Sequence, residues 1–354
     1  MALFSRKKIL ITGGTGSLGK ILVKRLLSGE DGCPSKIIIF SRDEAKQHNM
    51  RLEYQHKANA TDEIIYNNFR QLVEFRIGDV RNYESISPVL KNVDIVINAA
   101  ALKQVPSCEY FPHEAVMTNI MGAENIVRAL RENDYNVETV VGISTDKACK
   151  PVNVMGMTKS LQERIFISAN IFVPKVRFIC VRYGNVLASR GSVIPMFHEQ
   201  IRNNLPLTVT TKEMTRFLLP LEHAVDTVFA AIRGASSGET YIPKVKSSSI
   251  INVAKALVGK RPNEIKITGI RPGEKIHEIL ISEEEAWHTV DRGDYYVIKP
   301  ILPELIETST EEFIDKTGEY SSASNPMDLK ETIEMLEQYN LLVENNQMEG
   351  ELLK

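Results

Sequence analysis

Short apolar runs alternate with amphipathic, helix-period segments along the first half of the chain, from Lys7 to about Tyr183. This alternation is typical of parallel strands joined by crossover helices that cover both faces of one sheet. The predicted strands are Lys8–Thr12, Ile37–Ser41, Val73–Gly78, Ile95–Ala99, Val137–Ser144 and Phe178–Tyr183, and the predicted helices are Leu18–Leu27, Glu114–Glu132 and Met155–Ala169. The fold class is therefore α/β, with a doubly wound parallel sheet.

The pattern changes in two places. The polar stretch Asp43–Gln71 is predicted to be an insertion after the second strand, helical in part. Beyond Arg190 the alternation breaks down, and amphipathic helices are predicted at Leu221–Arg233 and Asp328–Leu342. We therefore predict a large domain over residues 1–190, a smaller α/β portion over residues 191–342 that can return some strands to the first sheet, and a frayed tail over residues 343–354.

Charge and cysteine usage narrow the functional classes. The 354 residues include 43 Lys and Arg against 45 Asp and Glu, spread along the whole chain, which argues against a nucleic-acid or membrane partner. Apolar runs stay far short of the roughly 18 residues of a membrane span. The four cysteines lie far apart without CxxC spacing, so we expect no disulfide framework, no metal site and a reducing, cytoplasmic location.

A glycine-rich turn with GxxGxxG spacing, Gly13-Gly14-Thr15-Gly16-Ser17-Leu18-Gly19, directly follows the first strand. The glycines allow a tight turn and a close backbone approach, and the N-terminus of the following helix faces a pyrophosphate. The turn predicts a Rossmann-like dinucleotide-binding domain over residues 1–190. The predicted contacts here are Gly13, Thr15, Gly16, Ser17, Leu18 and Gly19.

The end of the second strand, Ser41-Arg42-Asp43, bears on the choice between NADP and NAD. A hydroxyl with a guanidinium accommodates a 2′-phosphate, whereas an acidic residue accepts a hydrogen bond from the free ribose hydroxyl. We predict NADP, held by Ser41 and Arg42. NAD, with Asp43 accepting from the ribose, is the alternative.

Two further segments follow predicted strands on the same side of the sheet. Asp79, followed by Val80, is predicted to meet the adenine amino group, and its alternative role is a helix N-cap. Ala99-Ala100-Ala101 offers small side chains where a backbone must pass close to the nicotinamide half of the cofactor. Ordinary core packing would also explain these alanines.

Ser144-Thr145-Asp146-Lys147 ends the fifth strand and is followed by Met155-Gly156-Met157-Thr158-Lys159. Both segments resemble the UDP-N-acetylglucosamine 4,6-dehydratases, which are extended short-chain dehydrogenases/reductases. The resemblance extends to Ala101-Leu102-Lys103-Gln104-Val105-Pro106, Arg182-Tyr183-Gly184-Asn185-Val186, Ser189-Arg190-Gly191-Ser192-Val193, Met214-Thr215-Arg216-Phe217 and Arg271-Pro272-Gly273-Glu274-Lys275. It implies that Thr145, Asp146, Lys147, Lys159 and position 155 line the reaction site.

The resemblance implies a reaction in which hydride leaves C4 of the hexose, water is eliminated across C5 and C6, and hydride returns to C6. Asp146 would be protonated to assist the leaving C6 hydroxyl, and Lys147 would be neutral to take the C5 proton. These states require a raised pKa for Asp146 and a lowered pKa for Lys147. A buried pair that shares a proton would satisfy both requirements.

Met155 departs from the pattern, because that position ordinarily carries the tyrosine that removes the C4 hydroxyl proton. A thioether cannot transfer a proton. Some members of the family also resemble this chain in having methionine there. The base is therefore expected among Thr145, Asp146, Lys147 and Lys159.

The remaining site residues are likewise implied by the resemblance. Further cofactor contacts are Asn119, Lys159, Tyr183 and Asn185. The substrate, UDP-N-acetylglucosamine, would contact Lys103, Asn185, Ser192, Val193, Met196, Thr208, Arg216, Arg271 and Glu274. Arg271 suits a diphosphate and Glu274 a uridine ribose, although the residues alone favour a solvated turn.

The family also implies a homo-oligomer, either a dimer or a hexamer. The competing functions are a nucleotide-sugar 4-epimerase or reductase, which would use the missing tyrosine, and a noncatalytic NADP-binding regulatory protein. The C5 configuration of the product and the glycan pathway stay open at this point.

Overall fold

The computed structural model describes residues 2–56, 63–187, 192–306, 311–314 and 318–343. The strands are β1 Lys8–Thr12, β2 Lys36–Ser41, β3 Val73–Ile77, β4 Ile95–Asn98, β5 Thr139–Thr145, β6 Arg177–Tyr183, β7 Leu207–Val209, β8 Thr215–Phe217, β9 Thr240–Pro243, β10 Ser247–Ser249, β11 Ile265–Ile267, β12 Ile279–Ile281, β13 Thr289–Arg292, β14 Tyr295–Ile298, β15 Tyr320–Ser321 and β16 Pro326–Met327. The α-helices are α1 Ser17–Ser28, α2 Glu44–His56, α3 Glu63–Leu72, α4 Tyr83–Leu90, α5 Val105–Tyr110, α6 Pro112–Ala115, α7 Gly122–Glu132, α8 Val154–Phe172, α9 Val193–Arg202, α10 Leu221–Gly234, α11 Ile250–Val258, α12 Glu283–Ala286 and α13 Leu329–Gln338.

Nine strands form the main sheet in the order β13-β14-β9-β6-β5-β4-β1-β2-β3. Strands β1 to β6 and β9 run parallel, and β14 and β13 add an antiparallel hairpin. Helices α1 and α10 pack on one face, and α4, α7 and α8 pack on the other. The order 3-2-1-4-5-6 is that of dinucleotide-binding sheets, so the predicted α/β fold is confirmed.

The predicted helix Glu114–Glu132 is interrupted. A π-helical segment, Val116–Met121, lies between α6 and α7. Such segments insert one extra residue per turn and often occur at functional sites. The predicted insertion Asp43–Gln71 contains α2 and most of α3, and residues 57–62 lie outside the described ranges.

The chain beyond residue 190 is divided between two places. Strands β9, β13 and β14 lie in the main sheet. Helices α9, α11 and α13 contribute to a separate apolar cluster, together with β7 and the residues on either side of β8. The two-domain division stays a prediction, and residues 344–354 of the predicted tail lie outside the described residues. Within the described ranges, no helix combines the length and apolarity needed to cross a membrane.

Candidate active site

The glycine turn after β1 is shaped by close backbone contacts. Gly13 has φ +66°, and a Cβ atom there would lie 2.8 Å from the backbone nitrogen of Ala100. Gly19 faces the carbonyl of Gly14 so closely that a Cβ atom would lie 2.4 Å from its oxygen. No side chain caps the N-terminus of α1, where Gly16 is the N-cap. The turn therefore presents backbone N–H groups and the positive end of the helix dipole to an anion.

The neighbouring segments are consistent with this cradle. Thr15 is buried, Ser17 begins α1, and Leu18 packs against the core beneath the turn. Ala100 donates its N–H to Thr12 Oγ1 at 3.2 Å, and Thr12 donates to Asn98 Oδ1 at 2.7 Å. The backbone of Ala99 and Ala100 therefore lies directly against Gly13. A role for residues 99–101 beside the nicotinamide stays a prediction.

At the end of β2, the three predicted residues differ in environment. Ser41 is buried and accepts a hydrogen bond from Gln47 Nε2 at 3.0 Å. Arg42 is half exposed, with Nη1 3.6 Å from Asp79 Oδ2. Asp43 accepts from the backbone and the ammonium of Lys46, both at 2.9 Å, and these bonds lower its pKa. Asp43 therefore caps α2, which leaves the guanidinium of Arg42 as the more available group.

The alternative role of Asp79 as a helix N-cap is wrong. The N-cap of α4 is Asn82, whose side chain accepts from the N–H of Glu84 at 2.9 Å. Asp79 instead accepts from Arg81 Nε at 2.8 Å and faces Arg42. Val80 is buried beneath it.

Asp146 and Lys147 lie at the carboxyl end of β5, in a short 3-10 turn. Lys147 Nζ is 3.0 Å from Asp146 Oδ1, and Thr145 Oγ1 donates to the same oxygen at 2.9 Å. A second acidic group that the sequence did not single out, Glu278, places Oε1 3.2 Å from Lys147 Nζ. Arg216 Nε lies 3.7 Å from that same oxygen. Two carboxylates therefore share one ammonium.

The two carboxylates change the expected protonation of the pair. Burial raises the pKa of Asp146. Lys147 lowers this pKa and Glu278 raises it further, and the net direction, upward, is the expected one. Burial alone would lower the pKa of Lys147, but Asp146 and Glu278 together outweigh it and raise the pKa. The expected lowering for Lys147 is therefore wrong, because Asp146 and, in addition, Glu278 stabilise the ammonium.

Helix α8 is held against this turn by a glycine contact and two caps. A Cβ atom on Gly156 would lie 2.2 Å from the carbonyl oxygen of Lys147, so only glycine allows this approach. Asn153 caps the helix by accepting from the N–H of Gly156 at 2.8 Å, and it donates to the carbonyl of Gly273 at 2.8 Å. Glu109 accepts from the N–H of Val154 at 2.7 Å.

Two predicted catalytic residues on α8 are buried. Lys159 donates to the carbonyl of Ile143 and to Gln162 Oε1, and burial lowers its pKa to about 8. Met155 packs in a small apolar cluster with Cys108 and Ala115. This packing explains why an apolar side chain is stable at position 155.

The other predicted cofactor residues fall into two groups. Asn119, in the π-helical segment, accepts from the N–H of Leu102 at 2.8 Å and donates to Thr158 Oγ1 at 2.9 Å, so it braces α8. Tyr183 is buried at the end of β6, and burial raises its pKa. Asn185 follows it, with a side-chain oxygen that is buried and lacks a hydrogen-bond partner among the described residues.

Several buried polar atoms within the described ranges have no hydrogen-bond partner. They are Asp146 Oδ2, Asn185 Oδ1, Ser192 Oγ, Thr211 Oγ1 and Glu278 Oε2. An unpaired buried polar group costs roughly 1–3 kcal/mol, so such atoms mark places where a polar ligand can bind. Four of them belong to the predicted site or its direct contacts.

The predicted substrate residues differ in what they contact in the structure. Arg216 donates to the backbone carbonyls of residues 215, 275 and 276, so three of its N–H groups are directed at protein rather than at a phosphate. Arg271 is exposed in the loop before β12, and Glu274 accepts from Thr210 at 3.4 Å. Thr208 accepts a hydrogen bond from Gln200 Nε2 at its hydroxyl and donates its backbone N–H to Gln200 Oε1.

The remaining substrate positions lie at two other places. Ser192 is the N-cap of α9 without a side-chain bond to the helix, and Val193 and Met196 pack against the C-terminal apolar cluster. Lys103 is exposed just before α5. Residues 188–191, which include the start of the Ser189-Arg190-Gly191 motif, lie outside the described ranges.

A buried ion-pair network adjoins the candidate site and is centred on one arginine. Arg182 on β6 bonds Glu163 of α8 at 2.7 Å and Glu285 of α12 at 2.7 Å. Ser144, the residue before Thr145 in the chain, donates a hydrogen bond to Glu163. One signal for this network is visible in the sequence, because Arg182 directly follows the apolar run Phe178–Val181 of β6, but its partners lie 19 residues earlier and 103 residues later in the chain.

The strand order and the glycine turn define a Rossmann-type fold of the extended short-chain dehydrogenase/reductase class. A sequence model of the family described as polysaccharide biosynthesis protein matches residues 9–300, and this chain belongs to that family.

Curated relatives carry two different names. The chain is 42% identical over 338 residues to a UDP-N-acetylglucosamine 4,6-dehydratase (inverting) of Campylobacter jejuni subsp. jejuni serotype O:23/36 (strain 81-176), covering 92% of this chain and 95% of the relative. It is 46% identical over 301 residues to a UDP-glucose 4-epimerase of Rickettsia bellii (strain OSU 85-389), covering 84% of each chain. Among solved structures, Pen from Bacillus thuringiensis matches with TM-score 0.84 and 32% identity over 96% of this chain and 99% of that one.

Proposed function

We propose that this chain is a UDP-N-acetylglucosamine 4,6-dehydratase that uses NADP. The observation that carries the proposal is the Asp146–Lys147 pair at the carboxyl end of β5, in which the carboxylate is fully buried and the lysine side chain is 19% exposed. Elimination of water needs one group that gives a proton and one that takes a proton, and such a pair supplies both within one contact. The similarity to the Campylobacter dehydratase extends over 92% of this chain, which supports the same conclusion.

The residues of the first half fit a dinucleotide. Gly13 leaves space that a Cβ atom would fill, and the uncapped N-terminus of α1 suits a pyrophosphate. Arg42 supports a 2′-phosphate, since Asp43 is already engaged by Lys46. When bound, the nicotinamide would accept the hydride from C4 and return it to C6. The chain's own groups would move the protons: Asp146 at the C6 hydroxyl and Lys147 at C5.

The second candidate is a nucleotide-sugar 4-epimerase, because relatives named UDP-glucose 4-epimerase are up to 46% identical to this chain. An epimerase inverts C4 and keeps the C6 hydroxyl, so it has no use for a second acid–base pair. The mass of the product separates the two, since dehydration removes one water and epimerisation leaves the mass unchanged.

The deciding experiment is incubation of purified chain with UDP-N-acetylglucosamine deuterated at C4, without added reductant. We expect a product lighter by one water that carries the deuterium at C6. A product of unchanged mass would favour the epimerase. Loss of the label to solvent or to free cofactor would contradict internal return of the hydride, and C5 configuration is assigned from the same product by nuclear magnetic resonance.

We also propose that the chain forms a homo-oligomer. Helix α8 exposes Met157 and Leu161 one turn apart, and α5, which packs on α8, exposes Tyr110 and ends beside exposed Phe111. Contiguous exposed apolar side chains are typical of protein interfaces. Light scattering at micromolar concentration measures this directly, and a monomeric mass would contradict it. The cytoplasmic location stays a prediction.

A further inference from the structure

Glu278 is a buried acidic residue in the loop just before β12, within the C-terminal half of the chain. Its carboxylate is 2% exposed and contacts Lys147, which belongs to the other half. The backbone around it is fixed, because its N–H donates to Ser322 Oγ at 2.9 Å and the N–H of Ser322 donates to its carbonyl at 2.8 Å. Glu278 is therefore placed firmly against the predicted catalytic pair.

Four other charged groups face this carboxylate. Asp146 lies across Lys147, Arg216 Nε is 3.7 Å from Glu278 Oε1, and Lys275 contributes a further positive charge. Arg216 is directed at backbone carbonyls and has no ordinary means of losing its proton. Lys147 is thus the cation whose proton is in direct contact with two carboxylates.

The dehydration sets a problem that the pair alone does not solve. Lys147 rests as an ammonium, because two carboxylates hold it, yet it has to lose a proton before it can take one from C5. The two acceptors in contact are Asp146 Oδ1 at 3.0 Å and Glu278 Oε1 at 3.2 Å. Asp146 is committed, since it has to carry the proton for the C6 hydroxyl. Glu278 is the acceptor that remains.

We propose that Glu278 is a positioning residue of the dehydration, which holds the Lys147 ammonium and accepts its proton when Lys147 becomes the base at C5. This proposal rests on the proposed function. The unpaired second oxygen of Glu278 is consistent with it, because a protonated carboxyl can hold its hydrogen on either oxygen.

The protons balance over one turnover. Of the four candidates for the base at C4, Asp146 is the one that this scheme uses: it starts ionised and takes the C4 hydroxyl proton as hydride leaves C4. A proton then moves from Lys147 to Glu278, and the neutral amine takes the C5 proton. The C5–H electron pair forms the C5=C6 double bond, the C6–O bond breaks, and Asp146 gives its proton to the leaving hydroxyl to make water. When hydride returns to C6, Lys147 gives its proton to C5 and recovers one from Glu278.

The test is the pH dependence of turnover in Glu278→Gln. In Glu278→Gln, Asp146 still holds the Lys147 ammonium, but the internal acceptor is gone, so Lys147 has to lose its proton to solvent. We therefore expect turnover about 100-fold lower at pH 7, rising about tenfold per pH unit while loss of that proton limits the rate. The unmodified enzyme should show no such rise between pH 7 and 9. Glu278→Asp should restore part of the rate, because it keeps an acceptor.

Two controls separate this role from mere structural support. Glu239→Gln removes an equally buried carboxylate that pairs with Arg292 and Lys299, and it should leave the shape of the pH profile unchanged. In single turnover, Glu278→Gln should still reduce bound NADP at C4, but exchange of the C5 proton with heavy water should be lost at pH 7 and recover at high pH.

The outcomes are distinct. A Glu278→Gln enzyme with unchanged turnover and an unchanged pH profile would overturn the proposal, as would equal slowing of C4 oxidation and C5 exchange at every pH. If the unmodified enzyme does not dehydrate UDP-N-acetylglucosamine, it is the proposed function that fails.

Discussion

Met155 shows how a side chain can occupy a reactive position without taking part in proton transfer. It is 5% exposed and packs with Cys108 and Ala115, so its thioether fills space beside the N-terminal turn of α8. Any effect of changing it should therefore appear first in stability.

We predict that Met155→Ala lowers the free energy of unfolding by roughly 2–5 kcal/mol, the usual cost of a buried Met→Ala cavity. Turnover measured well below the melting temperature should fall only a few-fold. Asp146→Asn should show the opposite pattern, with turnover reduced about 100-fold or more and stability little affected. Urea denaturation and steady-state assays on both variants check this, and equal losses of turnover would contradict it.

Arg42 gives a prediction for the cofactor. Its guanidinium is half exposed and already lies 3.6 Å from Asp79. Arg42→Ala should weaken NADP binding by about 10- to 100-fold, since a charge-assisted hydrogen bond contributes roughly 1.5–3 kcal/mol. NAD binding should change little. Isothermal titration with both cofactors measures the difference, and an equal effect on both would argue for NAD.

The sequence could identify Asp146 and Lys147 because they are adjacent in the chain and follow a recognisable strand. It could not identify Glu278, because the contact with Lys147 depends on how the two halves of the chain pack. Glu278 also raises the pKa of Lys147, in the same direction as Asp146, and the sequence does not show this second carboxylate. The backbone acceptors of Arg216 are hidden in the sequence for a similar reason, since two of them belong to residues 275 and 276.

Among the elements, helix α8 depends on Gly156. A glycine inside a helix ordinarily costs up to about 1 kcal/mol relative to alanine, so propensity alone favours replacing it. Here a Cβ atom would lie 2.2 Å from the carbonyl oxygen of Lys147. The backbone of the catalytic turn would have to move.

We therefore predict that Gly156→Ala lowers both thermal stability and turnover, with turnover reduced by at least about tenfold because Lys147 is displaced. Arg164→Ala, at an exposed position of the same helix, is the control and should leave turnover unchanged in the same preparation. Circular dichroism melts and steady-state assays measure both. A more stable, fully active Gly156→Ala enzyme would show that the turn tolerates the shift.

The six parallel strands of the first half were predictable because five of them are largely buried and mostly apolar runs between turn signals, and the sheet confirms all six. The exception is β3, where Glu74 and Arg76 alternate with apolar residues and no residue is fully buried. The short strands beyond residue 190 were not, because β15 and β16 have only two residues each. Pairing of such strands is decided by tertiary contacts. The π-helical segment was equally hidden, since its apolar period differs too little from that of an α-helix.

Across the chain, Arg182 joins β6 to α8 and α12 through Glu163 and Glu285. Burial alone would raise the pKa of Glu285, but Arg182 more than offsets this and lowers the pKa to about 2. A depressed carboxyl pKa stabilises the fold above the unfolded value, which is about 4.3, and that stability is lost as pH falls from there toward 2.

We predict that Glu285→Gln lowers the free energy of unfolding at pH 7 by about 3 kcal/mol, because Arg182 is left with one carboxylate in a buried setting. The variant should also lose less stability than the unmodified chain between pH 4.5 and 2. Urea titrations across that range measure both effects. If the free energy of unfolding falls by the same amount in the two proteins between pH 4.5 and 2, Glu285 is excluded as the titrating group.

Three strands of the main sheet, β9, β13 and β14, come from late in the chain, and β9 pairs directly with β6. During synthesis on a ribosome, β6 is complete well before Thr240–Pro243 has emerged. Its outer edge then offers unpaired N–H and C=O groups to any other nascent chain. A fragment that stops near residue 190 would keep that edge permanently open. We therefore expect residues 1–190 alone to aggregate, whereas the later part of the chain, supplied as a second polypeptide, could pair with that edge through β9.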